Sequence, residues 1–183
     1  MIYTSALSWF ALNTKFRYED YVAKQLKAKG YEILLPVYRC RRRWSDRMKN
    51  VDLPLFPGYL FCRFDANDRL PILTTPGMIQ VVGFGRTPVA VEDSEIIAIQ
   101  RAISSDLTRE PWPYLQVGEK VRVECGALRG VEGILLSVKG GHRLVLSVKL
   151  LQRSVAVEMN SAWVAPISQQ LSSSRGPAAA SAA

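Results

Sequence analysis

A run of aromatic and aliphatic residues behind two prolines and a glycine constrains this chain most strongly. Pro54, Pro57 and Gly58 restrict the backbone and then allow a sharp turn. The next six residues, 59–64, read Tyr-Leu-Phe-Cys-Arg-Phe. This density of aromatic and aliphatic side chains is typical of a β-strand. We therefore predict a turn over 55–58 and a strand over 59–64, around which the first part of the fold packs.

The two faces of this strand are predicted to have different surroundings, because side chains alternate along a strand. Arg63 is expected on a face open to solvent, since an arginine is rarely buried without a partner. Tyr59 and Phe61 share that face, and exposed aromatic residues on a sheet usually mark a binding surface. The alternative is that a helix or loop covers them and the arginine reaches out from beneath. The opposite face is predicted to enter a helix-covered core and consists of Leu60, Cys62 and Phe64.

The elements that flank this strand predict an α+β sandwich with its helices on one sheet face. Apolar residues at four-residue spacing indicate helices, and alternating or short apolar runs indicate strands. Gly30 follows the first helix as a terminating residue. The predicted strands are 8–13, 31–35, 59–64 and 79–82, and the main helices are 18–29 and 93–105.

A strongly basic segment interrupts this pattern. The chain carries a net charge of +8, and residues 39–49 contain six basic residues and one acid. Apolar residues are sparse there, which predicts a protruding hairpin or loop. Arginine forks match phosphate oxygens, and clustered positive charge releases counterions from nucleic acid. The alternative is a solvated charged loop. The candidate nucleic-acid contacts are Arg39, Arg41, Arg42, Arg43, Arg47 and Lys49.

The second half of the chain has a different pattern. Residues 106–115 are polar and contain two prolines, which predicts a linker after a first domain over 1–105. Residues 116–167 carry five short apolar runs separated by glycines, which predicts a small all-β barrel. Five glycines and many valines argue against a helical form of this segment. Residues 168–183 are rich in Ser and Ala without periodicity and are expected to be a disordered tail.

Composition excludes several classes of function. No apolar run approaches the length of a membrane helix and no secretory signal begins the chain, so a cytoplasmic protein is expected. The three cysteines, Cys40, Cys62 and Cys125, are far apart and suggest neither a disulfide framework nor a metal site. His142 is the only histidine and lies beside two glycines. We therefore expect no catalytic residues, no metal, no cofactor and no enzyme activity.

Together these motifs resemble the NusG family of transcription elongation factors, over about residues 8–166. The first domain resembles the NGN domain, through Ser8-Trp9-Phe10, the first helix, the segment 54–59 and Gly83-Phe84. The second resembles the KOW domain, through Val121-Arg122-Val123 and the glycines that follow. The Leu-Phe-Pro-x-Tyr-Leu-Phe run and Phe64-Asp65 are similar to specialised paralogues of the RfaH type.

This resemblance implies a transcription elongation or antitermination factor that acts as a monomer. The NGN face would bind the clamp helices of RNA polymerase, bridge its cleft, suppress pausing and promote processive elongation. The matching residues are Phe56, Pro57, Tyr59, Phe61 and Phe84.

The resemblance also implies two further partners. The KOW domain would recruit a small-subunit ribosomal protein or the termination factor Rho through Leu150, Leu151 and Arg153, although Leu151 and Gln152 replace the housekeeping aromatic and glycine. Paralogues of the RfaH type read non-template DNA through polar residues on and before the first helix. Of these only Lys15 matches, and Phe16, Tyr18 and Tyr21 stand in the place of the others.

A second interpretation is an RNA-binding module. Residues 57–64 partly match the RRM signature, in which aromatic residues of a sheet stack on bases. The leading basic residue and the small residue after the aromatic are missing, and the barrel that follows also counts against this interpretation.

Overall fold

The computed structural model describes residues 7–44, 47–113, 118–138 and 141–167. Its helices are α1 (Glu19–Ala28), α2 (Leu70–Leu73) and α3 (Asp93–Ser104), with a 3-10 turn at Ser161–Trp163. The strands of the N-terminal part are β1 (Ser8–Thr14), β2 (Glu32–Leu34), β3 (Val37–Trp44), β4 (Arg47–Pro54), β5 (Tyr59–Phe64), β6 (Met78–Val81), β7 (Gly83–Phe84) and β8 (Thr87–Pro88). Those of the C-terminal part are β9 (Arg109–Pro113), β10 (Glu119–Val123), β11 (Glu132–Val138), β12 (Gly141–Val148), β13 (Arg153–Met159) and β14 (Val164–Pro166).

The N-terminal sheet is built around the predicted strand. Its order is β2-β5-β1-β6, and every pairing is antiparallel. In the register of β5 and β1, Phe61 lies opposite Ala11 and Cys62 opposite Phe10. Paired residues therefore point to the same face of the sheet in both central strands. The α+β class is confirmed, with an antiparallel sheet and helices in the first part and a β-rich second part.

The inward face of β5 is as predicted. Leu60, Cys62 and Phe64 are buried in one apolar cluster with Phe10 and Leu12 of β1. The cluster is completed by α1 and α2, through Val22, Ala23, Leu26 and Ile72. The 3.6-residue period of α1 presents its apolar stripe to this face. The helix ends where expected, before Gly30 at φ +89°, a conformation that a glycine adopts without steric cost.

The prediction that all helices lie on one sheet face is wrong. The buried side of α3 consists of Ile96, Ile99 and Ala102, which belong to the cluster that contains Trp9 and Phe61. That cluster lies on the other side of the sheet from α1 and α2. Sequence periodicity identifies the apolar stripe of a helix but not the sheet face that the stripe covers.

The C-terminal part is one six-stranded antiparallel sheet in the order β14-β10-β11-β12-β13-β9. Five of its strands coincide with the five predicted apolar runs, and β9 adds a sixth from the segment predicted as a linker. Pro111 and Pro113 fit there because β9 is an edge strand, where missing N–H groups are tolerated. Trp112 packs against Ile134, Val145 and Ala156.

Arg109 links the start of β9 to the end of α3 across a short connection. Its guanidinium donates to the carbonyl oxygens of Ala102, Ser105 and Leu107 at 3.3, 3.0 and 3.3 Å. A helix leaves its last carbonyl groups without partners, and a nearby cation satisfies them.

The predicted tail over 168–183 lies outside the described residues.

Burial of β5 predicts a difference in thiol reactivity. Burial, with a smaller contribution from Glu32, raises the pKa of the Cys62 thiol to about 12, whereas Cys125 is exposed. In the native protein at about pH 8 to 9, iodoacetamide should modify Cys125 and leave Cys62 unmodified, because only the thiolate reacts. Mass spectrometry of alkylated peptides, with a urea-denatured sample as the control, measures this. Native labelling of both thiols at equal rates would contradict the assigned face of β5.

Candidate interaction surfaces

The turn before β5 is fixed by a carboxylate from α1. Gly58 has φ +82°, a left-handed conformation that favours glycine. Its N–H donates to Oε1 of Glu19 at 2.8 Å, and Glu19 is buried. Phe56 is fully buried and Pro57 is exposed. The acid that positions this turn has no sequence signal other than its place at the start of a helix.

The face of β5 that was predicted to be open is largely covered. Phe61 is 0% exposed, and Tyr59 is half-buried. Phe61 packs edge-on against Phe56, with ring centroids 5.7 Å apart. Arg63 is exposed, as predicted, and pairs with Glu32 at 3.4 Å. The exposure predicted for Phe61 is therefore wrong. Arg63 lies near the end of the strand and reaches solvent, whereas Tyr59 and Phe61, the earlier residues on the same face, are covered.

The cover over this face is α3 together with the C-terminal sheet. One continuous apolar cluster joins Phe61 and Ile96 of the N-terminal part to Leu146, Val148 and Leu151 of the C-terminal part. The two parts of the chain thus share a core on the side of β5 that the resemblance associates with polymerase.

Polar contacts at the edge of this shared core come from one turn of the C-terminal sheet. The guanidinium carbon of Arg153 lies 5.4 Å from the ring centroid of Tyr59. Lys149 donates from Nζ to Glu92 at 3.1 Å and from its backbone N to Glu95 at 3.3 Å. Burial raises the pKa of the Glu95 carboxyl, and the backbone hydrogen bond from Lys149 partly offsets this. A cation–π contact and two acids at the start of α3, one of them just before the helix, therefore contact the turn.

This turn is also the predicted partner site. Leu151 is buried and Leu150 is half-buried against the shared core. Gln152 has φ +52° and donates from its side chain to the carbonyl of Lys149 at 2.8 Å. The structure brings the two predicted binding sites, that of β5 and that of the turn, into contact with each other. Nothing in the sequence indicated this, because the two segments lie about ninety residues apart.

The predicted basic hairpin is present. β3 and β4 pair along their full length in a sheet of their own, from Val37 opposite Pro54 to Trp44 opposite Arg47. Arg41 and Lys49 are exposed, and Arg39 lies 3.5 Å from Asp52. The side chains of Arg42, Arg43 and Arg47 lie outside the described residues.

Two further predicted contacts are exposed. Phe84, on the short β7–β8 hairpin, is 77% exposed. Lys15, between β1 and α1, is exposed, and its backbone N donates to the carbonyl oxygen of Gly77.

In the described ranges no group of three or more His, Cys, Asp or Glu is arranged to hold a metal ion. No helix among those described is long and apolar enough to cross a membrane.

An aromatic and apolar face, a protruding basic hairpin and an apolar turn are features of a protein that binds other macromolecules. Comparison with known proteins identifies the class. Residues 7–100 match the family model described as transcription termination factor nusG. This match covers more than half of the chain, and the chain therefore belongs to the NusG family of transcription termination and antitermination factors.

Relatives and a solved structure agree with this assignment. The chain is 26% identical over 177 residues to the transcription termination/antitermination protein NusG of Thermus thermophilus, covering 85% of this chain and 96% of the relative. It is 27% identical over 166 residues to that of Lactococcus lactis, with 83% and 89% covered. A structure titled "Domain interaction in Thermotoga maritima NusG" shares its fold, with a TM-score of 0.53, 22% identity and coverage of 88% and 98%. The relatives are named as transcription factors, not enzymes.

The assignment of burial predicts stability effects of very different size for the same substitution at two sites. Phe61→Ala should lower the free energy of unfolding by about 3–5 kcal/mol, because it leaves a cavity in the shared core. Phe84→Ala should change it by less than about 0.5 kcal/mol, because that ring is exposed. Urea unfolding followed by circular dichroism measures both values. Similar midpoints for the two variants would contradict the covered state of β5.

Proposed function

We propose that this protein binds the clamp helices of RNA polymerase through the face around Tyr59 and promotes processive elongation. One observation carries the proposal: the N-terminal sheet has an apolar face, with Phe56 and Phe61, that α1 and α2 leave uncovered and that the C-terminal sheet closes. A sheet face of this kind needs a covering surface. Membership in the NusG family makes the polymerase clamp the partner that fits.

Binding of the clamp then competes with binding of the C-terminal sheet. Tyr59 contacts Arg153 in the closed arrangement, so a clamp helix on the same face requires the turn to leave. The same departure exposes Leu150 and Leu151 for a second partner. Binding at either site therefore favours the open arrangement and strengthens binding at the other by the same factor.

The contacts at the edge of the closed arrangement are weak enough for a partner to replace them. A cation–π contact near the surface contributes about 0.5–1 kcal/mol. The side chains of Lys149 and Glu92 are 66% and 60% exposed, and exposed ion pairs contribute about 0–1 kcal/mol each. A groove of about 790 Å³ remains between α3 and the C-terminal sheet, so part of the apolar surface there is not in close contact.

In the bound state the N-terminal part would bridge the polymerase cleft, hold the clamp closed and suppress pausing. The exposed Pro57 and Phe84 would extend the contact beyond Tyr59. The released turn would recruit a small-subunit ribosomal protein or Rho through Leu150, Leu151 and Arg153. Gln152 and Leu151 depart from the housekeeping pattern in this turn, which favours the ribosomal protein over Rho.

The β3–β4 hairpin would contact non-template DNA near the transcription bubble. It protrudes from the sheet, and its exposed Arg41 and Lys49 match phosphate oxygens without reading bases. The alternative of an RNA-binding sheet has less support, because residues 57–64 lack the leading basic residue and the small residue after the aromatic that the RRM signature requires.

Two substitutions should move clamp binding in opposite directions. Tyr59→Ala removes an aromatic anchor and should weaken binding of a clamp-helix fragment at least about 30-fold, equivalent to about 2 kcal/mol. Lys149→Glu places a negative charge beside Glu92 and Glu95, opens the closed arrangement and should strengthen binding about two- to tenfold. Isothermal titration with the purified fragment measures both.

The control for charge is Lys24→Glu, the same change on the outer face of α1 next to Asp20, which should leave clamp binding unaltered. The double variant, Tyr59→Ala with Lys149→Glu, should bind more weakly than Lys149→Glu alone, because the aromatic anchor is missing, and no more weakly than Tyr59→Ala alone, because the reversed charge still favours the open arrangement. Wild-type affinity of the Tyr59→Ala variant for the clamp fragment would refute the proposed site.

The hairpin should supply nucleic-acid affinity that depends on salt and not on sequence. Replacing Arg41, Arg42 and Arg43 with Ala should reduce the slope of log affinity against log salt by about two to three units, because fewer counterions are released. Fluorescence anisotropy with one labelled DNA at several salt concentrations gives the slope. An unchanged slope would assign the cluster to solvent or to a protein contact.

A further inference from the structure

The outer edge of β13 in the C-terminal sheet is covered by β9, which comes from the short segment that follows α3. Arg109 of β9 lies opposite Val157, and Pro113 lies opposite Arg153. The sheet order places β13 between β12 and β9, so β13 would be an edge strand without β9. An open edge presents unpaired N–H and C=O groups, which are a template for another strand.

The hydrogen-bond phase of this pairing directs both prolines of β9 away from β13. The N–H of Glu158 donates to the carbonyl oxygen of Thr108 at 2.9 Å. Residues of an antiparallel pair alternate between hydrogen-bonded and non-hydrogen-bonded positions, so every second residue after Thr108 also directs its backbone groups to β13. Pro111 and Pro113 lie at the other positions, where the nitrogen faces outward. The missing N–H groups therefore cost no bond to β13, and they hinder a further strand from pairing with β9.

Side chains on one face of the sheet bind β9 through an acid and an aromatic ring two positions apart. Glu110 forms an ion pair with Arg143 of β12, and the guanidinium carbon of Arg143 lies 5.0 Å from the ring centroid of Trp112. Trp112 also covers an apolar group that consists of Ile134, Val145 and Ala156. The surface that holds β9 thus combines a strand edge, a cation and an apolar group.

The cation on this surface is only partly used by β9. The side chain of Arg143 is 22% exposed, and it also pairs with Glu158 at 3.6 Å. Its Nε is buried and has no hydrogen-bond partner within the described part of the chain, and a buried donor without a partner is destabilising. A carboxylate that reaches Nε and a terminal nitrogen together forms a strong bidentate pair. An acid on a separate chain can take this position, which Glu110 does not.

We infer that the edge of β13 is a binding site for an extended segment of a partner protein, and that β9 occupies this site from within the chain. The segment that fits carries an acidic residue and, two positions later, an aromatic residue, because Arg143 and the apolar group lie on one face of the sheet. In this mode of recognition backbone hydrogen bonds supply affinity, and side-chain contacts supply specificity. The site goes beyond the proposed function, since neither the clamp nor the face of β5 takes part in it.

β9 competes with a partner segment because it belongs to the same chain. A strand joined to its site by a short connection has an effective concentration in about the millimolar range. Arg109 adds to this hold, since it donates to the carbonyl oxygens of Ala102, Ser105 and Leu107 around the end of α3. The wild-type chain should therefore bind a free peptide weakly, and weakening β9 should uncover the site.

The test uses the full chain and a fluorescent peptide with the sequence of residues 107–114. Trp112→Ala in the full chain removes the ring of β9 and leaves Arg143 and the backbone of β13 in place. Anisotropy should show that this variant binds the peptide at least about tenfold more tightly than the wild type, because the competing strand is weaker. A control peptide with Glu110→Lys and Trp112→Ala should lose most of this affinity, and so should the variant chain when Arg143→Gln is added.

Hydrogen exchange shows where the peptide binds. The amides of Ala156 and Glu158 face β9, so they should exchange faster in the Trp112→Ala chain than in the wild type and be protected again by the peptide. Circular dichroism confirms that the variant chains are folded. Glu110→Ala is a milder change, because that side chain is 42% exposed, and it should give a peptide affinity between those of the wild type and Trp112→Ala.

Four results would overturn the inference. They are equal peptide affinity of the wild type and both β9 variants, equal affinity of the two peptides, amides of Ala156 and Glu158 that the peptide leaves unprotected, and wild-type dimers that exchange β9, in which a second copy is the occupant. Failure of the proposed function is distinguishable, because it is measured with Tyr59→Ala and the clamp fragment. Peptide binding at β13 would stand in that case.

Discussion

Burial of the Phe61 side of β5 is the interaction on which the arrangement of the whole chain depends. The same strand is covered on its other face by α1 and α2 in the usual way. On the Phe61 face, α3 covers part of the surface and the C-terminal sheet completes it. The two parts of the chain are consequently joined by the hydrophobic effect at a surface that an external partner is proposed to use.

That shared surface gives the polar contacts at its edge their importance. Arg153 over Tyr59, and Lys149 beside Glu92 and Glu95, contribute little individually. They add direction to a packing whose apolar contacts alone are non-directional. In the proposed exchange of one covering surface for another, contacts of this moderate strength are ones that a partner could replace.

Most of the fold could be predicted from the sequence, because local patterns determine it. Alternation located β5 and its inward face, the charge density of 39–49 located the hairpin, and glycines and valines indicated the second sheet. The errors concern long-range packing. The exposure of Arg63 was correct but did not extend to Phe61, since the position of a residue along a strand matters as much as its face. β9 was taken for a linker because prolines at a sheet edge resemble prolines in a connection.

The candidate site was predictable only in its parts. Alternation along β5 predicted the residues of its face and the family resemblance supplied Leu150, Leu151 and Arg153 of the turn, whereas the contact between the two segments depends on how two distant elements pack. The same holds for Glu19, whose carboxylate fixes Gly58 and which no motif marks. Packing across the chain sets these relations, and a single sequence carries no direct record of it.

The short connection between α3 and β9 limits how far the two parts of the chain can separate. Because β9 belongs to the C-terminal sheet, only residues 105–108 would remain as a tether in the proposed open arrangement, once the hydrogen bonds that Arg109 donates to this connection are broken. Four extended residues span at most about 14 Å. A tether this short would keep the released sheet at an effective concentration in about the millimolar range. In the proposed exchange, the separated sheet would be recaptured quickly unless a partner occupied one of the two surfaces, and a partner bound to the turn would stay close to the partner of the N-terminal part.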